Sequence, residues 1–184
     1  MFQFKIVKEV NKCLRTIDEG GVILHPTDTV YGLAGDSANN KVSIKINQIK
    51  KRKVDKPLIH LMSGIEMIND YVNNISETAF KFLKKNEPTT VIFTNINENK
   101  SKLNSIAIRI PSNEFCLTLI KELKRPLFSS SANLHGLEIA NSLKNIDLSI
   151  KKNVDYIVKT KKIFKNKPSS IIKIINDNDF KVLR

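Results

Sequence analysis

Short apolar, β-branched runs alternate with segments of helical hydrophobic spacing along all 184 residues. Such alternation restricts a chain to a sheet with helices packed against it. The spacing of Ile6, Val7, Val10, Leu14 and Ile17 predicts an apolar helix face over 4–19, ended by Gly20-Gly21. Residues 22–25 read as a short buried strand, followed by a loop from Pro26 to Gly35 carrying Thr27, Asp28, Thr29 and Tyr31. Val42, Ile46 and Ile49 predict a second helix over 39–53, and Pro57 opens a strand over 58–62. Helices over 64–72 and 77–85, the latter capped by Ser76, precede strands over 89–96 and 105–110. A helix over 113–124 stops before Pro126, and a strand over 127–129 runs into the polar stretch Ser130–Asn133. After a looser stretch, 155–159, 170–175 and 180–183 read as closing strands, whose short separations imply antiparallel pairing. No repeat or low-complexity linker interrupts the pattern. Residues 1–184 are therefore expected to form one α/β domain, with a twisted, mixed parallel and antiparallel sheet flanked by helices.

Charge is the feature most open to misreading. Thirty-one Lys and Arg against eighteen Asp and Glu give a formal net charge of +13, which taken alone suggests a nucleic-acid partner. The basic set weakens that inference, because it consists of 26 Lys and only 5 Arg. Lys, Ile and Asn together fill 71 of the 184 positions, as A/T-rich coding would produce. Arginine is the residue suited to bidentate phosphate and base-edge contacts, so the few arginines carry the interest. No run approaches eighteen consecutive apolar residues and no leader-like apolar segment follows Met1, so a cytoplasmic protein without a membrane partner is expected. Cys13 and Cys116 lie far apart, and His25, His60 and His135 form no ligand-spaced pattern, so no structural metal is expected.

Four polar segments fall where strands give way to loops, the usual place for ligands in open α/β sheets. Pro26–Gly35 combines two threonine hydroxyls, a carboxylate and glycine turns. Lys50–Pro57 carries five cations, with Arg52 and Lys56 spaced to clamp phosphate oxygens. Arg109 lies between Ile108 and Ile110 on a strand, so it must face either solvent or a partner group. Ser129, Ser130, Ser131 and Asn133 gather small donors at a strand end. Each segment also has a plain reading as a surface turn, a solvated helix end or an internal ion pair. His60 reads as a core histidine and His135 as a loop residue. No glycine-rich phosphate loop and no nucleophile elbow is present, so a bound nucleotide would be held by dispersed cations and hydroxyls.

Taken in order, these segments resemble the YrdC/TsaC family of threonylcarbamoyl-AMP synthases. The resemblance is carried by P-T-D-T-V-Y-G-L (26–33), K-x-R-x-x-x-K-P (50–57), A-I-R-I-P (107–111), S-S-S-A-N-L-x-G (129–136), P-S-S-I-I (168–172) and V-L-R (182–184). It covers the chain from about Gly20 to Arg184 and implies a YrdC-like fold in its short form. It further implies synthesis of threonylcarbamoyl-AMP from L-threonine, bicarbonate or CO2, and ATP, with release of pyrophosphate. Mg²⁺ would be carried by the nucleotide. The product would pass to a threonylcarbamoyl-transferase complex that modifies adenosine 37 of tRNA. By position, Thr29, Arg109 and Ser169 are implied to contact threonine, with Ser129 between the two ligands. Arg52, Lys56, Ser105, Ser131, Asn133 and Arg184 are implied to line the ATP side. Lys50 would face the phosphates and share the catalytic role with Arg52.

Where the family carries Pro-Gly-Pro-x-Thr, this chain reads Asn86-Glu87-Pro88-Thr89-Thr90, so an altered backbone shape is expected there. A histidine that some relatives place near threonine is replaced by Leu61, and strand alternation turns the neighbouring His60 to the other face. Ile139 replaces a small polar residue found beside the nucleotide in some relatives. Two other readings compete with the synthase. One is a non-catalytic RNA- or tRNA-binding relative using Lys50–Lys56 and the seven lysines between Lys151 and Lys167; the other is an enzyme taking a different carbamoyl donor.

Overall fold

The computed structural model describes residues 2–53, 57–100, 103–159 and 167–184, with side chains from Ile6 onward. Lys56 and the lysines within 160–166 lie outside the described residues. The order is α1 (Phe2–Asp18), β1 (Ile23–Pro26), β2 (Tyr31–Asp36), α2 (Asn40–Ile49), β3 (Ile59–Leu61), α3 (Ile65–Asn69), α4 (Glu77–Leu83) and β4 (Thr89–Phe93). There follow β5 (Ile106–Arg109), α5 (Glu114–Leu123), β6 (Leu127–Ser131), α6 (Leu148–Asn153), β7 (Tyr156–Ile157), β8 (Ser170–Ile174) and β9 (Phe180–Val182). The strands form a nine-stranded mixed sheet in the order β7-β1-β2-β6-β3-β5-β4-β8-β9. No described helix is long and apolar enough to cross a membrane.

Helices cover both faces. On one face α1 and α5 pack through Val10, Cys13, Ile17, Leu119 and Ile120 onto Ile23, Ala34, Leu61 and Leu127. On the other, α2 and α6 cover Leu24, Tyr31, Leu33 and Phe128, while α3 and α4 cover Val91, Ile106 and Ile108. Val7 is half exposed, and the buried Cys13 completes the α1 stripe in its stead. Side-chain caps begin the helices where polar residues precede apolar runs. Asn39, Ser76 and Asn113 accept hydrogen bonds from the backbone N–H groups of Lys41, Ala79 and Cys116. Helix α5 ends at Lys124 in the left-handed conformation (φ 58°), two residues before Pro126.

Three expectations need correction. The stretch 26–35 is a loop only to Val30, because Tyr31–Asp36 forms a fully buried central strand between β1 and β6. Its glycines read as loop formers, yet here they let neighbouring elements approach. A Cβ on Gly35 would lie 2.6 Å from Val42 Cγ1 and 2.9 Å from the Gly21 carbonyl oxygen. The late strands are antiparallel only between β8 and β9; β7 runs parallel to β1 and β8 parallel to β4. They add to strands formed much earlier in the chain, which short-range spacing cannot reveal. The looser stretch before residue 155 contains α6, begun by Asp147, whose carboxylate accepts from the Ser149 N–H. Glu87, at the family's glycine position, does not take a positive φ, which outside glycine occurs among the described residues only at Lys51 and Lys124.

Candidate active site

Strand register brings the polar segments to one end of the sheet. Ile59 of β3 pairs with Ser129 of β6 and Ala107 of β5, and Ser131 pairs with Gly32 of β2. Side chains two residues apart on a strand share a face, so Ser129, Ser131 and Arg109 rise from the surface that α1 and α5 leave uncovered. They floor a cavity of about 270 Å³, also lined by Thr29, Lys50, Arg52, Asn133, Ser169 and Arg184. Ser105 belongs to the same face but is exposed and does not line this cavity. Lys56 is not described, although Pro57 lines the wall.

One end of the cavity is built around Arg109, which is 4% exposed. Its Nη1 donates to Thr29 Oγ1 at 3.0 Å, and its Nη2 lies 3.5 Å from Asp28 Oδ1. Its Nε is buried without a partner among the described residues. The 27–30 turn that presents Thr29 is tied by Thr27 Oγ1, which accepts from the N–H groups of Thr29 (3.0 Å) and Val30 (3.1 Å) and donates to the Val30 carbonyl (2.7 Å). Beside Arg109, Arg184 donates through Nε and Nη2 to the Ser169 carbonyl at 3.1 and 3.0 Å. Burial and the Arg109 charge both push the Arg184 pKa down. The hydroxyls of Ser169 and Thr90 lie 2.7 Å apart, joining β4 to the segment before β8.

The other end holds Arg52 and Lys50. Arg52 Nε donates to the buried Asn47 Oδ1 on α2, its own N–H bonds the Asn47 carbonyl, and its Nη2 is buried without a partner among the described residues. Burial lowers its pKa. The Lys50 ammonium, expected to face phosphates, has three oxygens of the 131–133 loop as acceptors: the Ser131 carbonyl, the Asn133 carbonyl (2.7 Å) and Asn133 Oδ1 (3.1 Å). Burial and then Arg52 press this ammonium down to about 7, against three acceptors that favour its charged form. The loop is pinned further where Ser131 Oγ donates to Asn133 Oδ1 (2.6 Å) and the His135 N–H to the Lys50 carbonyl (2.9 Å).

Pattern reading missed several parts of this site. Asn47 lies inside an apolar helix stripe between Ile46 and Ile49, and a buried amide in such a stripe was the available signal. Asp28 stands in the first motif, yet only the fold shows it against Arg109. His135, read as a loop residue, lines the mouth of the cavity. His60 matches expectation: it faces the opposite side, against Phe128, and burial lowers its pKa to about 4. His25 lies fully buried behind Gly32.

A mixed α/β sheet whose uncovered end gathers guanidinium groups and hydroxyls around one recess offers a place suited to small anionic ligands. Residues 15–184 match the Sua5/YciO/YrdC family, described as "Telomere recombination", and the chain belongs to that family. It is 34% identical over 170 residues to a Methanocaldococcus jannaschii protein provisionally named threonylcarbamoyl-AMP synthase, covering 89% of this chain and 79% of that one. It is 28% identical over 148 residues to the threonylcarbamoyl-AMP synthase of Saccharophagus degradans, covering 77% and 78% of the two chains. The fold resembles that of P. abyssi Sua5 complexed with L-threonine, with a TM-score of 0.82 at 24% identity over 95% of this chain. The match spans about half of the P. abyssi chain, 53%.

Proposed function

We propose that the chain is an L-threonylcarbamoyladenylate synthase, acting on L-threonine, bicarbonate or CO2, and ATP, with residues 1–184 as one YrdC-like domain. The observation that carries this reading is a pair of unpartnered guanidinium donors, Arg109 Nε and Arg52 Nη2, on two residues that line one recess. Arg109 suits the threonine carboxylate, because a desolvated guanidinium binds carboxylate strongly. Thr29, Ser129 and Ser169 complete that end, while Arg52, Ser131 and Asn133 serve the triphosphate, a role that Arg184, beside Arg109, takes by resemblance. Ser105 and Lys56 belong to the nucleotide side by resemblance.

The threonine amine captures CO2, and a carbamate oxygen then attacks the α-phosphorus as its bond to the bridging oxygen breaks and pyrophosphate leaves. No protein nucleophile is required. The site needs only to align the reactants and offset the charge growing on pyrophosphate. Arg52 supplies a free donor for that charge, and Lys50 keeps the loop beneath it in place. By resemblance, a Mg²⁺ in the reaction would be carried by the nucleotide substrate. The labile mixed anhydride calls for a transferase that passes the threonylcarbamoyl group to tRNA, in the cytoplasm. The RNA-binding reading is less favoured, because the key donors lie buried in a recess.

The test is chromatographic detection of threonylcarbamoyl-AMP together with pyrophosphate release. Release should require both L-threonine and bicarbonate. Release indifferent to threonine, or dependent on carbamoyl phosphate instead, overturns the assignment.

A further inference from the structure

His25 has no part in the mechanism above, yet it is fully buried against the cavity floor. Its Nδ1 lies 3.1 Å from the Pro26 carbonyl oxygen, which can only accept, so Nδ1 carries the proton. Cys116 Sγ sits 3.5 Å from the same carbonyl and 3.7 Å from Nδ1, closing that side of the ring. Nε2 is therefore a bare acceptor, and it is buried without a partner among the described residues. Leaving such an atom unsatisfied is costly, so its position calls for an explanation. Burial, with Arg109 the charged group acting on the ring, lowers the imidazole to about 4 and keeps it neutral.

Nε2 points over Gly32, which lines the cavity. A Cβ on Gly32 would lie 3.4 Å from His25 Nε2 and 3.4 Å from Ser129 Oγ, so both atoms border the same small space. Around them the recess presents mainly donors, from Arg52, Arg109 and Arg184. Donors suit a carboxylate and phosphates but repel an ammonium or amine. Asp28 Oδ1, 3.5 Å from Arg109 Nη2, is set to offset that guanidinium.

We propose that His25 is a positioning residue: its Nε2 accepts the Ser129 O–H in the occupied site, which turns a Ser129 lone pair toward the cavity to receive an N–H from the α-amino group of an amino-acid substrate. The hydroxyl thereby becomes an acceptor for the amine, beside the guanidinium that takes the same molecule's carboxylate. Site hydrogen bonds that are long without ligand and tighten with it are common. The identity of the amino acid rests on the synthase reading, whereas the tautomer and the link to Ser129 do not.

Two measurements test this on the full chain. In protein carrying ¹⁵N-histidine, Nε2 should be unprotonated at neutral pH without ligand, and its resonance should move when L-threonine is added to the unmutated chain but not in Ser129→Ala. A protonated Nε2, or a threonine-induced movement that persists in Ser129→Ala, overturns the proposal whether or not the enzyme makes threonylcarbamoyl-AMP. In pyrophosphate-release kinetics, His25→Phe, which keeps a ring without the acceptor, should raise the threonine KM about tenfold and leave the ATP KM within about twofold, the worth of one hydrogen bond. His25→Gln, which can place an amide oxygen near the Nε2 position, should recover most of the loss. On a Ser129→Ala background His25→Phe should add nothing, and multiplicative effects would overturn the link. Absent threonine-dependent release from the unmutated chain would sink the synthase reading alone, with the resonance still deciding the role of His25.

Discussion

Arg52 and Lys50 stand two residues apart and are used in opposite ways. Three oxygens accept from the Lys50 ammonium, all from the loop that follows β6, so its charge organises protein. Arg52 is held through Nε by Asn47 and keeps Nη2 buried without a partner among the described residues, so that donor is not committed to the protein. Arg52→Ala should reduce pyrophosphate release at least about a hundredfold, the scale on which an oriented transition-state donor acts. Its melting temperature should move by only a few degrees, because the residue is half-buried at a helix end. Activity retained within a few-fold would remove the phosphate role. Arg52→Lys should fail nearly as badly, since a lysine cannot bond Asn47 and reach the ligand with one rigid fork. Both cations were legible in the sequence from residue type and spacing. Which of them is committed to the protein was not, because that depends on a loop about eighty residues away.

At the scale of elements, most boundaries followed from caps and apolar spacing, and the failures share one cause. Strand β2 escaped recognition because Gly32, Ala34 and Gly35 lack the β-branched signature of a strand. Their smallness is imposed from outside the segment. Gly32 leaves room for the His25 ring, and Gly35 lets α2 and the Gly21 backbone come close. Gly35→Ala should therefore destabilise the protein by about 1–3 kcal/mol, the usual cost of overpacking a well-filled core. The Cβ would meet the Gly21 carbonyl oxygen at 2.9 Å, an obstacle that cannot rotate away. Urea unfolding at equilibrium measures this, and an unchanged midpoint would show that β2 and α2 separate easily. Helix α6 was missed because its Asp147 cap precedes only six helical residues, too few to show a period.

For the molecule as a whole, acid stability gathers the two buried histidines into one measurable property. His25 and His60 are both held near 4 by burial, against an ordinary value of 6.5. As pH falls from about 6.5 to about 4, the unfolded chain binds two protons that the folded chain refuses, so stability falls with pH. The loss is at most about 3 kcal/mol for each ring. His60→Leu should remove about half of that pH dependence, read as unfolding free energy against pH; an unaltered slope would mean that His60 is protonated in the folded state. The charge of +13 bears little on this core, since most of it comes from lysines rather than from the arginines of the recess. Helical and strand periods, caps, and the chemistry of Thr29, Arg52, Arg109, Ser131 and Arg184 were readable directly, because each is a local property of neighbouring residues. Strand order, and with it the nearness of Arg184 to Arg109 and the placing of His25 and Ser129 on either side of Gly32, was decided only by the packed sheet. Register between distant strands depends on how two helix layers fill the space around them, and no short stretch of chain carries that information.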